Sequence, residues 1–464
     1  NSVNSYGVFT QGTVVVGGNV NATGCIGAAV GVNSQITVDG VITALKYVKL
    51  GASVKTIDDK TFPTTKTGYH TYNNGTATVW VKDSGTAEFA GGDGSEDNPY
   101  LIATPEHLNN VRNYLGAENA DKHFKLTANL NLNVAPYNTG EGWEPIGASD
   151  DFTGSFDGGG HTISGLVINR PAQDDIGLFA YAETTAKIRN LGLVGVKVTG
   201  SDCVGGLVGG NRGQVTNSYV TGDVTGKDRV GGLVGQNFGS NADSYATGIV
   251  TDTWSGSIGG LAGENSANGT ITNCHAEVTV TSSNGVVGGL VGNNFGAITK
   301  SHAVGNVEGL YGVGGLVGIN NEGNIDKSYA TGTVTGTETG ISYTLVGGLV
   351  GSNTGPISDS FARGAVSGQE DIGGLVGYNS SSITNSYATG AVSGDSYIGG
   401  LVGFNHSDGI ITGSYWDTET SHQTSSDGGV GKSTTEMKQQ ETYDGWDFAA
   451  TWVINASDND GYPF

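Results

Sequence analysis

The chain is short of cysteine, proline and positive charge. Its 464 residues include 3 cysteines and 8 prolines, and its 21 basic side chains face 44 acidic ones. The formal charge of −23 excludes a surface suited to nucleic acid or to anionic membranes. The widely spaced Cys25, Cys203 and Cys274 define neither a disulfide framework nor a metal site, and we interpret them as small buried apolar residues.

Long apolar runs and helical periodicity are also missing. No run reaches the roughly 18 residues of a membrane helix, so we predict no membrane insertion. The 81 glycines follow no three-residue period, which excludes collagen. Glycine pairs recur at intervals that would break helices, so helical repeats are excluded as well.

The most informative feature is a repeat, typified by the segment Gly-Gly-Leu-Val-Gly-Gly-Asn that ends at Asn211. Its leucines are Leu207, Leu233, Leu261, Leu290, Leu316, Leu349, Leu375 and Leu401. An asparagine stands four residues after each leucine: Asn211, Asn237, Asn265, Asn294, Asn320, Asn353, Asn379 and Asn405. The repeat therefore has eight copies, mostly 26 residues apart.

The second half of each repeat carries a Ser-aromatic pair, as in Ser218-Tyr219, within short β-branched runs. A period in the twenties with such runs between glycines indicates a solenoid. We predict a parallel β-helix with two or three short strands per coil, stacked at about 4.8 Å. The leucines should point inward. The asparagines should form a structural ladder of amide hydrogen bonds from coil to coil.

The Gly-Gly-Leu-Val-Gly-x-Asn series resembles the GLUG-motif repeats of bacterial surface proteins. The resemblance covers roughly residues 90–464, from a lead-in at Gly91 to an exit at Ser414-Tyr415-Trp416-Asp417. It implies an extracellular, often adhesive or polymer-associated role on the cell surface. It supplies no catalytic residues, and such arrays also occur as accessory regions beside enzymes.

Five segments are predicted. Residues 1–46 form short solenoid-like coils, and 47–90 form a small β-sheet module with a hairpin at Asn74-Gly75. Residues 91–200 hold a capping helix from Thr104 to Gly116 and irregular coils. Residues 201–416 are the eight-repeat solenoid, and 417–464 are a C-terminal cap that opens with a capping box at Ser433.

Catalytic chemistry is sought first among paired acids, because parallel β-helices host polysaccharide hydrolases and lyases. The pairs are Asp150-Asp151, Asp174-Asp175 and Glu370-Asp371. All fall in predicted turns, where solvated acids are expected, so we assign no catalytic residue. We predict no metal or cofactor, with a calcium loop around Gly94 as the alternative.

Aromatic residues supply the candidate ligand site. Trp254, Tyr311, Tyr343 and Tyr397 lie in the connections that precede Gly-Gly-Leu segments. An aromatic face can stack on the apolar face of a sugar ring. The alternative is that these rings fold back over the solenoid edge.

The favoured function is a non-catalytic cell-surface scaffold, part of a larger surface protein, that binds an extracellular polymer such as a carbohydrate. A polysaccharide lyase or glycoside hydrolase on a β-helix is one alternative, so the sequence does not settle whether the chain is an enzyme. A structural stalk or spacer is another.

Overall fold

The computed structural model describes residues 6–10, 13–16, 20–30, 35–38, 42–50, 53–55, 69–74, 77–82, 88–337 and 344–464. The chain forms two compact units, residues Asn1–Ala90 and Gly91–Phe464. Within the described residues, no helix has the length and apolar character needed to cross a bilayer.

The first unit contains two small sheets, each mostly parallel. One comprises the strands Tyr6–Thr10, Val20–Val30, Ile42–Leu50 and Ser53–Lys55. The other comprises Thr13–Val16, Gln35–Val38, Thr78–Lys82 and Tyr69–Asn73. Thr13 pairs with Gln35, which is the 22-residue echo seen in the sequence.

The hairpin of the first unit is formed by Tyr69–Asn73 and Thr78–Lys82, which pair antiparallel. Gly75 lies outside the described residues. The strand Ile42–Leu50 runs across the boundary predicted between residues 46 and 47. The other predicted segment boundaries stay predictions.

The second unit is a parallel β-solenoid in which each regular coil contributes to four sheets, named sheets I to IV in chain order. Every coil-to-coil pairing among its strands is parallel, with inward side chains stacked on their counterparts in the next coil. The prediction of two or three strands per coil was too low. Bends at the glycine pair and at a left-handed corner residue such as Asn217 divide the coil into more pieces.

Sheet I has eight strands: Asp202–Gly205, Asp228–Gly231, Ser257–Gly259, Val286–Gly288, Val313–Gly314, Val346–Gly347, Ile372–Gly373 and Ile398–Gly399. Sheet II has nine: Phe179–Ala182, Val208–Asn211, Val234–Asn237, Ala262–Asn265, Val291–Asn294, Val317–Asn320, Val350–Asn353, Val376–Asn379 and Val402–Asn405. Sheet III has twelve: Tyr100–Ile102, His123–Leu126, Ser155–Asp157, Lys187–Arg189, Gln214–Thr216, Ser240–Ala242, Thr270–Thr272, Ala297–Thr299, Asn324–Asp326, Ile357–Ser358, Ser382–Thr384 and Ile410–Thr412.

Sheet IV has seventeen strands because its later coils split in two. They are Leu130–Asn131, Thr162–Ser164, Val167–Asn169, Gly192–Thr199, Tyr219–Gly226, Tyr245–Asp252, His275–Thr281, His302–Ala303, Val307–Gly309, Tyr329–Ala330, Val334–Gly336, Phe361–Ala362, Val366–Ser367, Tyr387–Ala388, Val392–Ser393, Tyr415–Asp417 and Val430–Lys432.

The glycine pairs let the coils approach closely. A Cβ on Gly289 would lie 2.0 Å from the carbonyl oxygen of Gly315 in the next coil, and one on Gly288 would lie 1.9 Å from the oxygen of Val291. Real Cβ atoms do not approach an oxygen so closely, so a side chain on Gly289 would force the coils apart and one on Gly288 would distort the turn within its own coil. The eight repeat leucines are fully buried between these turns.

Two predicted helices are confirmed. The helix Pro105–Asn110 begins after Thr104, whose Oγ1 accepts from the backbone N–H of His107 at 3.2 Å, and it continues as the 3-10 turn Val111–Asn113. The helix Thr434–Met437 begins with the complete capping box of Ser433 and Glu436. Three further 3-10 turns are Ala117–Asn119, Gln440–Thr442 and Asn459–Gly461.

The C-terminal cap covers more than the last coil, because it packs back along the side of sheet IV. Trp446 and Trp452 pack with Phe361, Tyr387 and Tyr415, which belong to the last three coils of sheet IV. Trp416 meanwhile occupies the inward position held by Ala388 one coil earlier. Its indole contacts Gly400 and closes the interior of the final coil.

Candidate functional site

The predicted ring-bearing connections all join sheet IV to sheet I. Trp254, Tyr311 and Tyr397 lie four, two and one residues before Ile258, Val313 and Ile398, which share one inward column of sheet I. The rings therefore share a corner of the solenoid without being in register. Tyr343 falls outside the described residues. We name Trp254, Tyr311 and Tyr397 the ring edge.

The three described rings are solvent-accessible. The exposed fraction is 72% for Trp254, 44% for Tyr311 and 57% for Tyr397. The Tyr397 ring nevertheless packs edge to face on Phe404 of sheet II at 5.8 Å, so the alternative that rings fold back over the edge applies to Tyr397. By the coil rise, neighbouring rings lie roughly 10 to 15 Å apart along the axis.

Polar groups accompany the most exposed ring. Trp254 lines an open groove with Lys227, Asp228, Ser255 and Gly256. One carboxylate oxygen of Asp228 accepts from the backbone N–H of Ser257 at 2.9 Å, which fixes the corner beside the indole. An accessible aromatic face beside hydroxyl and charged groups is the combination that sugar recognition uses.

The Ser-aromatic pairs form a second aromatic feature whose geometry the sequence reasoning missed. Seven rings stack face to face along the start of sheet IV, with centroids 4.6 to 5.0 Å apart and planes within 10° of parallel. We call them the ring column: Tyr219, Tyr245, His275, His302, Tyr329, Phe361 and Tyr387. Because each face is covered by the next ring, only ring edges reach solvent. The in-register Ser-aromatic spacing was the signal that could have revealed it.

The asparagine column forms a continuous ladder. Each side-chain amide donates to the amide oxygen of the next asparagine at 2.7 to 2.9 Å, from Asn211 through to Asn405. The asparagines before Asn405 are fully buried. The ladder begins at Asn211 because Ala182 occupies the position in the preceding coil. This column is a structural element of the interior.

A parallel serine ladder runs beside the ring column. The backbone N–H of Ser301 donates to the hydroxyl of Ser328 at 3.2 Å, and Ser328, Ser360 and Ser386 repeat the contact. Cys274 occupies one rung, where its thiol donates to the carbonyl of Thr272 at 3.4 Å. Cys203 and Cys274 are both buried and unpaired, and burial raises the pKa of the Cys274 thiol to about 12.

Two of the three acid pairs border one cleft in the irregular coils. Asp151, Asp174 and Asp175 line it with Arg170 and Tyr181, in a volume of about 470 Å³. Burial raises the pKa of Asp151 and of Asp175, with neighbouring carboxylates adding to both shifts. The third pair lies elsewhere, at sheet I, where burial and Glu370 raise the pKa of Asp371 to about 6.

Metal ligands do not cluster in the described part of the chain. There, no three histidine, cysteine or acidic side chains are placed to share an ion. In the lead-in loop, Asp93 accepts from the backbone N–H of Ser95 at 3.0 Å, and hydrogen bonds with Ser95 lower the pKa of that carboxyl.

This geometry defines the chain as a parallel β-solenoid of repeats that stack in register. The family model described as "The GLUG motif" matches residues 200–225, 255–281, 309–335 and 368–393. The chain thus carries GLUG-motif repeats, as the sequence resemblance indicated. Each match covers about one coil, from a sheet I strand through sheets II and III into sheet IV.

Two curated relatives share part of the array. A protein named as a Gly-rich membrane protein of Evansella cellulosilytica is 42% identical over 141 residues, 30% of this chain and 16% of the relative. Halomucin of Haloquadratum walsbyi is 36% identical over 163 residues, 33% of this chain and 2% of the relative. The aligned parts are thus small fractions of both relatives.

Two solved structures overlap more of the chain with lower identity. One, described as an immunoglobulin A1 protease from Bacteroides ovatus, is 20% identical, covers 82% of this chain and 95% of that one, and has a TM-score of 0.39. Another IgA1 protease is 20% identical, covers 63% of this chain and 24% of that one, and has a TM-score of 0.41. Likenesses of this size assign no activity to this chain.

Proposed function

We propose that this chain is a non-catalytic binding scaffold of an extracellular, cell-surface protein, and that its ring edge holds a polymer, specifically a carbohydrate. The GLUG-motif solenoid and the two relatives, one named as a membrane protein, support surface display. The observation that carries the ligand assignment is the exposure of Trp254, Tyr311 and Tyr397 at a single corner.

Three exposed aromatic rings on one corner of the solenoid make that corner a candidate interaction surface, because exposed apolar patches mark such surfaces. The spacing along the edge suits an extended chain that meets successive rings. Each stacking contact contributes on the order of 1 kcal/mol. Affinity therefore comes from several weak contacts made together, so a polymer should bind far better than its monomer.

The test is binding to a panel of insoluble glycans by the intact chain and by the double variant Trp254→Ala with Tyr397→Ala. The variant should keep the thermal midpoint of the intact chain and lose about 30-fold in affinity, since two stacking contacts of about 1 kcal/mol each are removed. The matched control is Ile249→Ala with Phe295→Ala, which removes two exposed apolar side chains away from the edge. Undiminished binding by the first variant would show that the ring edge is not the site.

A second candidate function, glycoside hydrolysis, is favoured by the cleft of Asp151 and Asp175. Both carboxyls have a raised pKa there, and a general acid needs such a shift. Release of reducing ends should be measured on the same glycan panel. Release that disappears in both Asp151→Asn and Asp175→Asn would make the cleft catalytic and overturn the non-catalytic assignment.

A further inference from the structure

A second corner of the solenoid, between sheets III and IV, carries a column of residues in the left-handed conformation. Its eight members have φ between 46° and 54°. They are Asn190, Asn217, Asp243, Asn273, Lys300, Lys327, Asp359 and Asn385. We call this the corner column. Asparagine and aspartate tolerate such φ values better than other residues with a Cβ, and they fill six of the eight positions.

Three pairs of neighbours in the corner column are joined by side-chain hydrogen bonds. Asn217 donates to Asn190 at 2.7 Å, and Asn273 donates to the Asp243 carboxylate at 2.6 Å. Asn385 donates to Asp359 at 3.3 Å. The column thus normally satisfies its own polar groups from coil to coil.

Lys300 and Lys327 break this arrangement. They occupy adjacent coils in register, because Thr299 and Asp326, the residues just before them, are paired. Like charges at directly opposed positions of neighbouring strands destabilise a sheet. Lys327 has Asp326 at 3.9 Å, whereas no carboxylate of the described residues lies within ion-pair distance of the Lys300 ammonium. The corner thus brings two positive charges together, of which only the Lys327 ammonium has a carboxylate beside it.

The two lysines stand at the mouth of an aromatic cavity of about 290 Å³. Its walls are Tyr329 and Phe361 of the ring column and Trp452 and Phe464 of the cap. The Phe464 ring meets the Tyr329 ring edge to face at 5.6 Å. Phe361 and Trp452 are buried, whereas Phe464 is 49% exposed and Tyr329 is half-buried, so the surface that a ligand can reach is chiefly the Phe464 ring and the Tyr329 edge.

The acid in this cavity is already engaged. One carboxylate oxygen of Asp359 accepts from the Trp452 indole N–H and from the Asn385 amide, each at 3.3 Å. Asp326, at the base of Lys327, accepts from the Ser358 hydroxyl at 2.8 Å. These contacts orient both carboxylates towards protein donors, and Lys300 and Lys327 supply the positive charge among the lining residues.

We propose that this cavity binds an acidic sugar unit, a pyranose whose carboxylate lies between Lys300 and Lys327 and whose apolar face meets the exposed Phe464 ring. The carboxylate would relieve the repulsion between the two ammonium groups. A single pyranose fits a cavity of this size, and the aromatic walls supply the apolar contact that sugars require. This site is independent of the ring edge, which lies at the other end of the sheet IV strands.

The experiment is calorimetric titration of the intact chain with a short oligogalacturonate and with its fully methyl-esterified form, which has the same rings without the charge. The acid form should bind and the ester should bind at least about tenfold more weakly. Raising the NaCl concentration about tenfold should weaken binding of the acid several-fold, because the lysines are exposed. Equal binding of acid and ester would overturn the proposal.

The variant Lys300→Gln with Lys327→Gln should lose about tenfold or more in affinity for the acid form. The matched control Lys125→Gln with Lys187→Gln removes the same charge from exposed positions in earlier coils. It should change the affinity less than about twofold, since screening isolates distant charges. Equal losses in both double variants would mean that net charge, and not this corner, governs binding.

Two further arms complete the design. Phe464→Ala should weaken binding about threefold or more, because one aromatic wall is removed. The ring-edge variant Trp254→Ala with Tyr397→Ala should bind the oligogalacturonate as the intact chain does, which separates this site from the function proposed above. A sulfated oligosaccharide that binds more tightly than the oligogalacturonate would overturn the assignment of a carboxylate.

Discussion

The asparagine ladder and the corner column are both stacks of polar residues, one per coil, yet they differ in how strictly they repeat. The ladder keeps asparagine in all eight coils, and its side chains are buried. The corner column holds asparagine, aspartate or lysine at accessible positions. A buried amide must find its partner inside the protein, whereas an accessible group can use water. Repetition along the solenoid therefore does not by itself require one residue type at a position. Burial of that position does.

The largest expected effect is a break in the ladder. Asn294→Ala removes the acceptor for Asn265 and the donor to Asn320 at 2.7 Å. It should cost about 2 to 4 kcal/mol of unfolding free energy, because a buried amide loses its partner and a cavity forms. Urea denaturation would measure this cost as a lower midpoint.

Lys300→Ala is the companion change in the corner column. It should change the free energy of unfolding, measured by urea denaturation, by less than about 0.5 kcal/mol, as exposed substitutions do. Any change should be a small increase in the urea midpoint, because the substitution removes one of two neighbouring like charges. If the two variants had equal midpoints, the contrast between buried and accessible columns would be wrong.

An intermediate effect is expected in the ring column, which is half-buried. Burial, with some help from His275, lowers the pKa of His302 to about 4, from 6.5. The folded chain therefore keeps this ring neutral while the unfolded chain takes up a proton below pH 6.5. The stability linked to His302 is fully present above that pH and is lost as the pH falls towards 4.

The loss should be about 1 to 2 kcal/mol once solvent screening of this partly exposed ring is allowed for. His302→Tyr retains a ring between His275 and Tyr329 and removes the titration. Thermal midpoints of the two proteins should diverge between pH 6.5 and pH 4, with the variant the more stable at the acidic end. Parallel pH profiles would mean that the pKa of His302 is the same in the folded and unfolded chain.

The smallest expected effect concerns the serine ladder. Cys274→Ser would supply the missing hydroxyl to the backbone N–H of Ser244, as Ser301 supplies it to Cys274 at 3.1 Å. The gain should be about 0.5 to 1 kcal/mol, the net value of one hydrogen bond. Cys203→Ser, at a buried site outside the ladder, should give no such gain in the thermal midpoint. A lower midpoint for Cys274→Ser would show that the larger sulfur packs better than the bond stabilises.

The sequence was a good guide wherever one coil dictates the next. Leu207 and Asn211 recur without exception, and identical environments require identical residues, so the solenoid and its ladder could be predicted. The capping motifs at Thr104 and Ser433 were equally readable, because their hydrogen bonds span three residues. The division of each coil among four sheets could not be predicted, since two-residue strands such as Phe361–Ala362 leave no periodic pattern in the sequence.

The cap and the cavity beside it depended on contacts that no local pattern encodes. Arg363 bonds Asn459, 96 residues away, and the hydroxyl of Tyr387 donates to the carbonyl of Pro463. The meeting of Lys300 with Trp452 follows from that docking and from the coil register together. The ring edge was found from the sequence only as a set of connections. Its exposure is a property of the folded corner, and the part held by Tyr343 stays a prediction.

The asparagine ladder also bears on how such an array can change over evolutionary time. Each rung offers a donor to the coil that follows and an acceptor to the coil that precedes. If recombination between tandem copies deleted one whole repeat, the flanking rungs would meet with matching chemistry, and the leucines would still stack. Gain or loss of complete units is therefore tolerated by the hydrogen-bond pattern, whereas a partial unit would misalign every column beyond it. The array's length can drift while its cross-section stays constant.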